Sequence, residues 1–242
     1  MIVLRSALFN VFFFGATFAL TLAGTVVRFL APSRVLAVAV AWARLVLWGA
    51  RVICGIRWQV VGELPAGATL VASHHESAFD ALIWMTLLPR STIVMKRELL
   101  RIPLFGALTR IAGMIAVDRD GGAKAMRHLM RDAAKAVAER RQIIIFPEGT
   151  RAEPGALLPL QPGVAALAAA TGLPVIPVVT DSGLCWSRRA FRKHPGVIHI
   201  VLLPPIEAGT RRQELLRQLE AALRTDVREA LIAQPCRLPP HL

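Results

Sequence analysis

The stretch Thr69-Leu70-Val71-Ala72-Ser73-His74-His75-Glu76-Ser77-Ala78-Phe79-Asp80 decides the fold. Its first four residues are a short apolar run of the kind a buried strand makes. Ser77 and Asp80 then form an S-x-x-D pattern, which opens a helix. Strand, loop and helix in such close succession make a corner of an α/β sheet. The same corner sets His75 five positions before Asp80. A carboxylate so placed can hold one imidazole nitrogen as N–H and leave the other to take a proton from a hydroxyl. Equally, Asp80 can do no more than satisfy the first turn of the helix.

Outward from this corner the pattern repeats. Apolar runs predict strands over 57–61, 69–72, 92–95, 114–117, 142–146, 174–179 and 197–203. Helical periodicity predicts helices over 78–88, 98–111, 123–140, 164–171 and 211–232. Met126, Leu129, Met130, Ala133 and Val137 are spaced for one buried face of the third of these. Continuous apolar strands alternating with helices imply an α/β fold, a mostly parallel central sheet flanked by helices. Polar clusters follow the strands: His75 to Asp80, Lys96-Arg97, Asp118-Arg119, and Pro147-Glu148-Gly149-Thr150-Arg151. In a parallel sheet such clusters share the carboxyl edge, so they are expected to line one cleft. Asp118-Arg119 read alone is also a plain surface ion pair, and Gly149 read alone is a turn residue.

Residues 1–56 differ in kind. No charge occurs between Arg5 and Arg28, a run of 22 residues that as a helix spans roughly 33 Å and reaches across a hydrocarbon core. This is longer than the apolar region of a cleaved signal peptide. Pro32 breaks the chain, and a second apolar helix follows over 35–56, with Arg44, Arg51, Trp42 and Trp48 placed for headgroup depth. It either lies in the interface or pairs with the first helix as a hairpin. The division expected is 1–56 as membrane-associated helices and 57–242 as the catalytic domain. Deleting 1–30 should then weaken membrane attachment far more than the fold of 57–242.

A mean hydropathy of +0.51 is too apolar for an ordinary soluble enzyme. The net charge of +13 comes from 25 Arg and only 4 Lys. Such charge fits nucleic acid or an anionic membrane, and the apolar excess favours the membrane. Three scattered cysteines, Cys54, Cys185 and Cys236, make neither a disulfide framework nor a metal site. A zinc site from His74, His75 and Asp80 is disfavoured, because adjacent residues of an extended segment point opposite ways. No G-x-S-x-G elbow of a lipid hydrolase occurs.

Taken together, five segments resemble the glycerolipid acyltransferases, specifically the bacterial 1-acyl-sn-glycerol-3-phosphate acyltransferases. They are His75-x4-Asp80, Lys96-Arg97-Glu98-Leu99-Leu100 with Pro103-Leu104-Phe105-Gly106, Gly113 to Arg119, Phe146-Pro147-Glu148-Gly149-Thr150-Arg151, and Ile176-Pro177-Val178. The resemblance implies transfer of a fatty acyl group from acyl-CoA or acyl carrier protein to the sn-2 hydroxyl of 1-acyl-sn-glycerol-3-phosphate. The product would be phosphatidic acid for phospholipid biosynthesis. It implies His75 as general base and Asp80 as its partner. Arg119, Glu148, Gly149, Thr150 and Arg151 would form the acceptor's site, with Lys96 as a further contact. No metal and no cofactor are implied beyond the acyl thioester. The partners are membrane lipids, lysophosphatidate and, where it is the donor, acyl carrier protein, and nucleic acid is not among them. The location is the bacterial cytoplasmic membrane, catalytic domain inward. Two departures stand out: His74 occupies the family's usual Asn position, and Gln161-Pro162-Gly163 lacks a common Lys. The second keeps open another acceptor, such as lyso-ornithine lipid. A membrane-tethered binder of anionic polymers without enzymatic activity would rest on the charge alone.

Overall fold

The computed structural model describes residues 1–118, 121–156 and 158–224. Two N-terminal helices, α1 (Ile2–Leu30) and α2 (Val35–Gly49), precede seven strands: β1 (Ile56–Val61), β2 (Leu70–Ser73), β3 (Thr92–Lys96), β4 (Ile115–Val117), β5 (Ile143–Ile145), β6 (Val175–Thr180) and β7 (Gly196–Leu202). Between and after the strands lie α3 (Ala78–Leu87), α4 (Phe105–Ile111), α5 (Gly122–Ala138), α6 (Gly163–Thr171), α7 (Ser182–Cys185) and α8 (Arg212–Leu223). The expected helix over 211–232 is observed as α8, and its final residues lie outside those described.

The strands form one sheet in the order β1-β7-β6-β2-β5-β3-β4. From β6 to β4 every pairing is parallel. The exception is at the other side, where β7 runs antiparallel to β6 and carries β1 parallel to itself. Strand periodicity divides the core in two. Val71, Ile93, Ile144, Val178 and Ile198 pack toward α1, α2 and α3. Leu70, Ala72, Ile143, Ile145, Val175 and Val179 pack toward α5, α6 and α8. The neighbours β2 and β5 thus send their following helices, α3 and α6, to opposite faces. That divergence opens a crevice at their carboxyl ends, where doubly wound sheets place their ligands.

The single helix expected over 98–111 is interrupted. A 3₁₀ turn covers Arg97–Arg101, Ile102 is extended at φ −67° and ψ 120°, and α4 begins only at Phe105. Pro103 is the cause, since its ring drives the preceding residue out of the helical region and it has no N–H to donate.

Helices α1 and α2 pack together as a hairpin. The Trp42 indole N–H donates to Thr17 Oγ1 at 3.0 Å, and Phe13 packs on Trp42. At Gly49 a Cβ would stand 2.2 Å from the Phe12 ring, so glycine lets the helices close without moving that ring. Arg44, Trp48, Arg51 and Val52 remain exposed on one side of α2 and its π-helical extension Ala50–Cys54. Along α1, Leu4, Leu8, Val11, Phe14, Phe18, Leu22, Val26 and Phe29 make an exposed apolar stripe. Both helical segments are long and apolar enough to cross a membrane.

The opposite side of α1 packs against the rest of the chain. Phe9 is fully buried and meets Trp186 edge to face at 5.1 Å. Ser6 Oγ accepts the backbone N–H of Lys193 at 2.9 Å, and Lys193 Nζ donates to Asn10 Oδ1 at 3.0 Å. One core therefore runs across the change in composition near residue 57. The sequence could not announce these contacts, because an apolar helix looks the same whether its partner is lipid or protein.

Phe9→Ala should destabilise the folded protein in detergent by about 3–5 kcal/mol, the usual cost of truncating a buried aromatic ring. Val11→Ala, on the exposed stripe, should leave the midpoint of denaturation near that of the parent. Denaturant titration of both variants checks this, and equal midpoints would contradict the packing role of α1.

Candidate active site

Strand β2 delivers His75 to the crevice, and the first turn of α3 carries Asp80 beside it. Ser77 Oγ accepts the Phe79 N–H at 3.1 Å, and Asp80 Oδ2 accepts the Ser77 N–H at 2.9 Å, a complete capping box. The same Oδ2 accepts the Glu76 N–H at 2.8 Å and lies 3.0 Å from His75 Nδ1. Both readings of Asp80 hold at once. A carboxylate oxygen already receiving two backbone N–H groups is an acceptor only, so Nδ1 carries the imidazole proton. Nε2 is then the basic nitrogen. The His75 side chain is 15% exposed and Asp80 only 2%, so the imidazole can be reached while the carboxylate cannot. The Phe146 ring stacks on the imidazole with centroids 4.0 Å apart and fixes its plane.

The loop after β5 supplies the facing wall. Gly149 turns it at φ 73°, a conformation that glycine adopts without strain. Glu148 is buried, and its carboxylate faces the backbone of the His75 loop. Oε2 accepts the His75 backbone N–H at 3.0 Å, and Oε1 lies 3.7 Å from His74 Nε2. The Ala152 N–H donates to the His75 carbonyl at 2.7 Å, so the two loops are clamped back to back. His74, a loop neighbour by sequence, is a buried part of that clamp.

His75, Lys96, Asp118, Gly149, Thr150 and Arg151 line one cleft of about 690 Å³. The convergence expected from strand ends is therefore met for these residues. Arg119 lies outside the described residues. Asp118 pairs with Arg97 at 2.7 Å in an exposed contact worth about 0–1 kcal/mol. Gln161 lines the same cleft.

Arg151 stands at a junction, since it also borders an apolar cavity of about 700 Å³. Phe14, Phe18 and Trp42 of the hairpin line that cavity, as do Leu82 of α3, Met95 of β3 and Leu104 before α4. Burial pushes the Arg151 guanidinium below its ordinary value; nearby Asp80 raises it, and Arg188 and Arg189 lower it further. These last two residues also line the cleft and carry no sequence signal that singles them out. Another pair was equally invisible. His199 Nδ1 lies 2.8 Å from Asp181 Oδ2, both buried, and the His199 N–H donates to Asp181 Oδ1 at 2.7 Å. This pair ties β7 to the end of β6 and is absent from the cleft's lining.

A buried carboxylate, an oriented and accessible imidazole, a cationic wall and an adjoining apolar cavity suit proton abstraction from the hydroxyl of an amphiphile that bears an anion. Comparison with known proteins points the same way. The Acyltransferase family model matches residues 57–181. A 1-acyl-sn-glycerol-3-phosphate acyltransferase of Pseudomonas aeruginosa is 30% identical over 215 residues, 86% of this chain and 84% of that protein. One of Limnanthes douglasii is 37% identical over 166 residues, 67% of this chain and 57% of that longer protein. The crystal structure of the 1-acyl-sn-glycerophosphate (LPA) acyltransferase of Thermotoga maritima shares the fold, with a TM-score of 0.75 at 20% identity, over 98% of this chain and 100% of that one. The chain belongs to the Acyltransferase family, among the 1-acyl-sn-glycerol-3-phosphate acyltransferases.

Proposed function

We propose that the protein transfers a fatty acyl group from acyl-CoA or acyl carrier protein to the sn-2 hydroxyl of 1-acyl-sn-glycerol-3-phosphate, making phosphatidic acid. The observation that carries this reading is the His75–Asp80 pair at the mouth of a cationic cleft that adjoins an apolar cavity. His75 Nε2 takes the proton of the acceptor hydroxyl as its oxygen attacks the thioester carbonyl. The new C–O bond forms, the C–S bond breaks, and the proton on His75 passes to the departing thiolate. Asp80 keeps the imidazole in the reactive tautomer and stabilises the imidazolium between the two transfers. No acyl-enzyme is needed, because the acceptor oxygen is itself the nucleophile. Metal and cofactor have no part in these steps.

Arg151, with Thr150, Gly149 and Lys96, is assigned to the acceptor's phosphate and glycerol, and Arg119 to the same group by resemblance. Glu148 is assigned to holding His75 in place, through its bond to the His75 backbone. The apolar cavity is assigned to an acyl chain. Each methylene of such a chain costs ~0.8 kcal/mol to expose to water, so a site open to the hydrocarbon avoids extracting the lipid. Residues 1–56 then serve as the attachment and 57–242 as the catalytic unit. The acyl thioester is cytoplasmic and anionic, and the basic cleft is accordingly assigned to the inner face of the cytoplasmic membrane. Gln161, a neutral residue in the cleft lining, supports a second reading in which the acceptor is another lysolipid such as lyso-ornithine lipid. Purified protein offered both acceptors, with the products chromatographed, separates the two.

His75→Ala should lower kcat by ~10²–10⁴-fold or more with the denaturation midpoint retained. Asp80→Asn should also be severe, and near-normal turnover in that variant would reduce Asp80 to a helix cap. Arg151→Lys keeps the charge and loses the planar fork, so KM for lysophosphatidate should rise while that for the acyl donor changes less. Initial rates with each substrate varied in turn check this, and a defect confined to the donor would move Arg151 to the thioester's side of the cleft.

A further inference from the structure

Between α7 and β7 the chain runs through Trp186-Ser187-Arg188-Arg189-Ala190-Phe191-Arg192-Lys193 as a strap. Its two ends are pinned to α1. Trp186 packs edge to face on Phe9 and Phe13, and Lys193 is bonded to Ser6 and Asn10. Its apex is held as well. The Ala190 N–H donates to the Ser187 carbonyl at 3.3 Å, and Arg188 Nη1 donates to the Arg151 carbonyl at 3.1 Å. Arg189 takes φ 55°, which is uncommon for a residue with a side chain. So restrained, Arg188 and Arg189 both line the cleft that holds His75.

With Arg151 this brings three guanidiniums into one partly enclosed space. Among the described residues none of the three makes an ion pair with a carboxylate. Like charges gathered there repel one another until an anion enters. A purely structural role accounts for Arg188, which bonds a carbonyl, but not for Arg189, which among the described residues makes no hydrogen bond to protein through its side chain. The planar fork of arginine matches two oxygens of a phosphate.

The geometry points to Arg188 and Arg189 as further substrate-binding residues that, together with Arg151, enclose a phosphate group. This rests on the acyl-transfer reading above. The phosphate arrives either on the acceptor's headgroup or on a CoA-borne donor, and the two sources are separable by kinetics.

The test uses the full chain in detergent, with Arg189→Gln, the double variant Arg188→Gln/Arg189→Gln, Arg188→Lys, and Arg211→Gln on the exposed surface. KM is measured for lysophosphatidate and for acyl-CoA separately. In the double variant KM for one of them should rise roughly tenfold or more, equivalent to about 1.4 kcal/mol, with kcat little changed. Arg189→Gln should show part of that rise, Arg188→Lys less, and Arg211→Gln none. A rise confined to lysophosphatidate assigns the acceptor's phosphate, and one confined to acyl-CoA assigns the donor's. Unchanged KM values, a loss of kcat alone, or an equal rise in Arg211→Gln would overturn the proposal. Titration calorimetry with glycerol 3-phosphate and with CoA gives a readout independent of turnover. Binding of either by the parent and not by the double variant supports the cradle, and equal behaviour of the two proteins refutes it. If the parent transfers no acyl group to lysophosphatidate, the functional reading fails, and the titration alone still decides the cradle.

Discussion

One carboxylate oxygen holds the His75 corner together. Asp80 Oδ2 receives the backbone N–H groups of Glu76 and Ser77 and faces His75 Nδ1, all within 3.0 Å. The first two contacts close the turn and start α3, and the third sets the imidazole. These are not separable contributions, because the turn that the cap stabilises is the turn that carries the histidine. The charge is also well sheltered. Buried beside an N-terminal turn, it meets backbone dipoles of the favourable sign. Local folding and the orientation of the imidazole thus depend on the same atom.

The sheet determines what surrounds that corner. Because α3 and α6 leave β2 and β5 on opposite faces, the loops behind them separate, and the space between them is left for a ligand. Glu148 then joins the two loops at their base through the His75 backbone, so the separation is confined to the open end. A polar wall from the β5 loop and an apolar cavity reaching the hairpin meet at Arg151. An amphiphile lying across that junction would place its polar and apolar parts in matching surroundings.

Much of this was legible in the residues. Buried parallel strands are short continuous apolar runs, and every predicted strand is present within a residue or two of its expected ends. Strand-end clusters gave most of the cleft, because parallel strands deliver their carboxyl ends to one edge. What could not be read is long-range by nature. Whether α1 faces lipid or protein depends on Trp186 and Lys193, far along the chain. Arg188 and Arg189 sit in a loop whose course is set by those same contacts, so no spacing marks them. Asp181 and His199 meet only because β6 and β7 pair antiparallel. Glu148 shares its run with Gly149, Thr150 and Arg151, which line the cleft, and its bond to the His75 backbone could not be read from that run.

The tie between α1 and the strap also has a consequence for biosynthesis. Lys193 bonds to Ser6 across 187 residues and to Asn10 across 183. At ~5–20 residues per second, the ribosome needs roughly 10–40 s after making the first helix before it makes the segment that completes its packing. Contacts this distant in sequence form late. Through that interval Phe9 and Phe13 lack the Trp186 ring that they pack against, and their uncovered edges would be prone to aggregate in water. Early delivery of α1 to a bilayer would shelter those rings until the strap is made, so the membrane would act as a chaperone for the nascent chain before it serves the finished enzyme.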